Sequence, residues 1–121
     1  MANEGTQFLK PYPAEADLTA AQYLIVEISA TEGIDVAGAG AGSGILVDNP
    51  ALGEDGSVVV LGLTKVVSAG AINAGIRFTA DAAGKAVALA TGNDCVGMTL
   101  EESGAANQVI AVVVAPSSPL T

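Results

Sequence analysis

The groups in this sequence that could do chemistry are few, and their neighbours give them other work. Asp81, Asp94, Glu101 and Glu102 are the carboxylates that a paired acid–base or hard-cation site would need. Asp81 opens an Asp-Ala-Ala-Gly turn and Asp94 closes a Gly-Asn-Asp turn, where such side chains cap their own backbone. Glu101 and Glu102 keep a connecting loop solvated. Cys95 is the only cysteine, so no intrachain disulfide can form. Between Asp94 and Val96, at the head of an apolar run, it reads as a small buried hydrophobe. The chain has no histidine, which removes the usual partner for a thiolate along with the commonest general base and metal ligand. A GxGxxG-like pattern runs through Gly38, Gly40 and Gly42, but no strand–helix context flanks it to make a dinucleotide site. No catalytic, metal-binding or cofactor-binding residue is expected, and no enzyme.

Charge and composition narrow the partners. The formal net charge is −9, with thirteen acids against Lys10, Lys65, Arg77 and Lys85. Those four cations are scattered along the chain, whereas a phosphate backbone needs them clustered, so no nucleic-acid partner is expected. The acidity favours solubility of the free protein. The N-terminus lacks an apolar signal-peptide core, and no apolar run approaches the ~20 residues of a membrane helix. A protein made and kept in a cytoplasm, without a membrane partner, is expected. Half of the residues are apolar, mostly Ala, Val, Leu and Ile, and the aromatics are Phe8, Tyr12, Tyr23 and Phe78. Small and β-branched side chains of this kind suit a pleated sheet.

The elements follow from that composition. Residues 1–18 read as an extended N-terminal arm, because Pro11 and Pro13 favour extended backbone and acids interrupt any periodicity. Phe8, Leu9 and Tyr12 are large apolar groups in this polar stretch, and they are the candidate partner-binding residues. Residues 19–116 read as a single β domain. Gln22 to Ser29 alternates as a strand, with Leu24, Val26 and Ile28 on one face and Tyr23, Ile25 and Glu27 on the other. An alternative start for that stretch is a helical turn capped by Asp17. Residues 37–44, AGAGAGSG, read as a flexible Gly/Ala-rich loop. Further strands are expected at Gly44–Asp48, Ser57–Leu61, Thr64–Ser68, Gly75–Ala80, Lys85–Ala90, Cys95–Leu100 and Gln108–Ala115. Two hairpins are expected, one at Gly62-Leu63 and one at Asp81–Gly84. Ala69–Ala74 offers at most one helical turn, and residues 117–121 form a polar tail. Short strands at this spacing predict an all-β small barrel or sandwich with an extended N-terminal arm and little or no helix.

The order of these pieces resembles one family. From Thr64 to Val114 the text runs TKV, then SAGAINAGIRFTADAAGKAVALATGNDCVGMTLEE, then VIAVVV. It is similar to the capsid cement, or head decoration, proteins of tailed bacteriophages. The matching pieces are Thr79-Ala80-Asp81, Gly84-Lys85-Ala86 and Val96-Gly97. The Gly92-Asn93-Asp94 turn and the AGAGAGSG loop depart from the family pattern. The resemblance implies a decoration-protein fold and a place on the outer surface of the virion capsid, assembled in the host cytoplasm. It also implies the major capsid protein of an HK97-type shell as partner, a homotrimer as the assembled unit, and stabilisation of the joints between shell subunits.

Two other classes stay open at this stage. A phage tail or spike structural protein would share a small acidic β fold. A lipoyl or biotinyl carrier domain would carry its modified lysine on a hairpin, and Gly84-Lys85-Ala86 resembles such a site, although Lys85 lies after the turn and not at its tip. If Phe8, Leu9 and Tyr12 anchor an arm that adds a strand to the shell, deleting residues 2–17 is expected to leave a folded protein that co-sediments poorly with capsids.

Overall fold

In the computed structural model, which describes residues 7–117, the regular structure of those residues is nine strands and no helix. Residues 1–6 of the expected arm and 118–121 of the expected tail lie outside the described residues. The strands are β1 (Gln7–Pro13), β2 (Ile25–Ile28), β3 (Ile34–Val36), β4 (Gly44–Leu46), β5 (Asp55–Val67), β6 (Arg77–Ala80), β7 (Ala86–Ala88), β8 (Cys95–Thr99) and β9 (Val109–Ser117). They pair antiparallel in one sheet of order β3-β2-β4-β5-β9-β8-β6-β7, with β1 also alongside β5. The sheet curls into a half-barrel, the all-β class that the composition predicts.

β5 organises this sheet. Val59 lies opposite Leu9 on one side and Ile45 on the other, and Gly62 lies opposite Gln7 and Val114. β4 and β9 therefore follow each other along one side of β5, while β1 runs along its opposite side. Two wings leave the shared strand: β4, β2 and β3 from its first half, β9, β8, β6 and β7 from its second. The faces also exchange along β5. Val59 and Val66 belong to the same core, although seven positions apart they would face oppositely in a regular strand. The exchange coincides with a bulge. Phe8 pairs with Leu61 and Leu9 with Val59, so Val60 has no partner on β1. Gly62 follows with φ 117°, which a side chain would strain.

This corrects the hairpin expected at Gly62-Leu63. The glycine bends one continuous strand of 13 residues, because its two halves find partners in β1, β4 and β9 and not in each other. The hairpin expected at Asp81–Gly84 is present. β6 pairs with β7, and the Asp81 carboxylate accepts the Ala83 and Lys85 N–H groups at 2.9 and 2.8 Å. β3 escapes a reading by pattern, since Ile-Asp-Val is too short to show alternation.

Two cores flank the first wing. Ile25, Ile45 and Val59 face the larger core, with Val66 from the second half of β5 and Phe78, Val96, Ile110, Val112 and Val114 of the second wing. Their chain neighbours Val26, Leu46 and Val58 face a second core, roofed by Ala14, Leu18 and Ala21. Burial on both faces explains why these short strands are continuous apolar runs. Tyr12 packs on the second core, and Ala14 bridges Ile34 of β3. Removing residues 2–17 thus takes away β1 and part of a core, so the truncated chain is not a simple test of binding. At the other end Ser68 bridges Ala86 of β7, curling the second wing back towards β5.

The AGAGAGSG segment enters β4 at Gly44, and the residues before it are tethered to the sheet. Ala37 is buried, Gly40 N–H donates to the Ala80 carbonyl at 2.8 Å, and Ser43 N–H donates to the Val26 carbonyl at 2.8 Å. Residues 18–21 form a turn and no helix, with Thr19 N–H capped by the Asp17 carboxylate at 3.1 Å.

Two substitutions test the packing. A Cβ on Gly97 would collide with the Val113 carbonyl of β9, so Gly97→Ala is expected to cost about 3 kcal/mol in chemical denaturation. The buried Thr79 hydroxyl has no hydrogen-bond partner, so Thr79→Val is expected to raise stability by about 1 kcal/mol in the same assay.

Candidate contact surface

Two of the four carboxylates that a reacting centre would need, Asp81 and Glu101, are used locally. Asp81 caps its hairpin, and the Glu101 carboxylate accepts the Ala111 N–H at 2.7 Å. Among the described residues no three His, Cys, Asp or Glu side chains gather as metal ligands would. Cys95 is buried and its thiol points to the Gly97 carbonyl, 3.7 Å away. Lys85, the lysine a carrier domain would modify, donates to the Asn107 side-chain oxygen at 2.6 Å. That contact ties it to a neighbouring loop, where a swinging arm needs a free tip.

What the fold does assemble is an apolar face. Phe8 lies directly opposite Leu61, and Leu63 projects from the same side of β5 two residues on. Leu63 lies opposite Val113, Val113 opposite Met98, and Met98 opposite Arg77. One row of side chains thereby crosses β5, β9, β8 and β6, and Phe8 extends the face onto β1. Phe8 is 56% exposed, Leu61 and Leu63 each 46%, and Met98 38%, so these groups stand in solvent. Leu100 and Val109 carry the same face to its far end. Six of the eight large exposed hydrophobics among the described residues thus share one side of the sheet. A monomer scatters such groups, and their gathering marks a contact surface. Beside Met98 and Val113 an open groove of about 390 Å³ is lined also by Arg77, Cys95, Gly97 and Ala115.

The three residues singled out from sequence are divided by this geometry. Phe8 lies on the face. Leu9 is exposed on the opposite side of β1, and Tyr12 leans on the second core with the Lys10 ammonium 4.2 Å from its ring centre. Residues 7–13 of the arm are already paired with β5 of their own chain. The arm's outer edge is poorly suited to a further strand. Ala14 N–H points to β5, donating to Glu54, so by alternation positions 11 and 13 point outward, and both are proline without an N–H. Sequence reasoning missed Leu61, Leu63, Met98 and Val113. Each reads there as an ordinary strand residue, and only the register brings them together.

Comparison with known proteins agrees with a structural role. The family model described as phage cement protein matches residues 11–114. The crystal structure of the head fiber gp8.5 N base in bacteriophage phi29 is similar in fold, with a TM-score of 0.68 at 18% identity, over 96% of this chain and 99% of that one. A comparison with curated proteins found no match.

The Phe8–Leu61 pair provides a check on the face itself. In a double-mutant cycle of Phe8→Ala and Leu61→Ala, the coupling is expected to be about 0.5 kcal/mol, as for cross-strand neighbours. Zero coupling would place the two side chains apart.

Proposed function

The chain belongs to the phage cement protein family, a structural and not an enzymatic protein of the virion, and from that premise we propose that it seats on the phage head through the outer face of β1, β5, β9 and β8. The carrying observation is the row from Leu63 through Val113 to Met98, continued by Phe8 and Leu61. It is the one extended feature of the described surface that offers desolvation energy, at roughly 25 cal/mol for each Å² of apolar area covered. The partner in this reading is the major capsid protein of an HK97-type shell, and a homotrimer would multiply modest contacts into avidity.

Two finer roles share that seat. As a cement, the module straddles a joint between shell subunits, and opening the joint would re-expose the face. As a base, it anchors something that projects from the head. The likeness to the head fiber base favours this second role, which is closer to a spike-type structural protein than to a rivet. Both roles depend on a stiff β domain and on contact area.

Leu63→Asp is expected to keep the fold, since Leu63 is exposed, and to weaken binding to expanded, undecorated heads at least tenfold by co-sedimentation, the cost of burying an unpaired carboxylate. Unchanged binding would remove the face from the contact. Thermal release of DNA from heads with and without the protein separates the finer roles. A lower release temperature without it supports the joint rivet, and equal temperatures support the base.

A further inference from the structure

The contact face carries its own electrostatic signature. Three of the four cations, Lys10, Lys65 and Arg77, lie in the strands that build it, whereas of the thirteen acids only Asp55 lies in β1, β5, β6, β8 or β9. Their placement is tighter than strand membership. Lys65 follows Leu63 by two on β5 and shares its side, and Lys10 follows Phe8 by two on β1, at the edge of the face where its ammonium lies over the Tyr12 ring. Arg77 lies directly opposite Met98. All three are exposed. The fourth cation, Lys85, lies outside the strands of the face and is held by the Asn107 side-chain oxygen. Glu101 reaches the border of the face, where the Ala111 N–H holds its carboxylate. A chain of net charge −9 has thus placed three of its four cations on the strands of this apolar face.

We infer that the occupant of this face is a shell-subunit surface with an apolar centre and a carboxylate rim, and that Lys10, Lys65 and Arg77 select it by pairing with that rim. The inference rests on the proposed seat on the phage head and adds the chemistry of the partner. The strongly acidic remainder of the module would be repelled by the same carboxylates, so the charge pattern also sets which side turns down. Rim charges act mainly on encounter and orientation, and salt screens them over about 10 Å at 0.1 M.

The test measures binding of the full chain to expanded, undecorated heads from about 50 to 500 mM sodium chloride. Affinity is expected to fall at least tenfold across that range. Lys65→Glu and Arg77→Glu are each expected to weaken binding about tenfold at low salt, as charge reversal at a rim does, while Lys85→Glu has no such effect. Circular dichroism confirms the fold of each variant. Lys65→Met and Arg77→Met, which remove charge without adding repulsion, should show a smaller loss in the same direction. Binding that ignores both salt and reversal would overturn the carboxylate rim and leave the apolar seat standing. Absence of binding at every salt concentration would overturn the seat itself. Sedimentation showing that the free chain self-associates through this face, with loss of that association in Lys65→Glu, would assign the face to a second copy and overturn the inference.

Discussion

Everything in this molecule depends on β5 serving two wings at once. A strand in a half-barrel ordinarily keeps one face inward along its whole length. Here the bulge at Val60 and the bend at Gly62 exchange the faces midway. Val58 and Val59 are both buried, each in a different core, because the first wing is covered on both sides. Beyond the exchange the sheet is covered on one side only. Val66 continues the larger core, and Leu61 and Leu63 are turned to solvent. The contact face is a direct consequence of that irregularity.

The remaining polar groups serve the scaffold. Ser68 and Ser103 are buried and bond to each other at 2.8 Å, and Gln108 joins them from the start of β9. The Glu15 carboxylate accepts the Ser29 and Thr31 hydroxyls, tying the segment after β1 to the β2–β3 turn. Tyr23 takes an unusual φ of 66° to enter β2, and both of its backbone groups are used: its N–H donates to Leu46 and its carbonyl accepts from Val67. Side chains committed to holding turns and strand ends are the opposite of a poised reacting group. They give the stiffness that a protein acting by contact requires.

Much of the fold was legible because short-range chemistry governs it. Asp81 and Gly84 specify a hairpin by turn chemistry alone, and the alternation in Leu24 to Ile28 assigns their sides correctly to the two cores. Gly62 misled for a physical reason. A glycine between two valine-rich runs satisfies a tight turn and a mid-strand bend equally well, and only the availability of β1, β4 and β9 as partners decides between them. The candidate surface was legible at one position, Phe8. Leu61 and Leu63 lie more than 50 residues from Phe8 along the chain, and Val113 as far again from them, so no local pattern could bring them together. Their exposure follows from the change of face at Val60, which is a property of long-range register.

Orientation on the head is the most direct measurement of the account. A cryo-electron microscopy reconstruction of decorated heads, resolved well enough to trace the strands of this chain, shows which side meets the shell. The account predicts Phe8, Leu61, Leu63, Val113 and Met98 buried against shell subunits, with Glu27 of β2, Asp35 of β3 and the Asp81 turn facing solvent. A reconstruction in which the Leu63–Val113–Met98 row faces outward, and those three acids meet the shell, would contradict it.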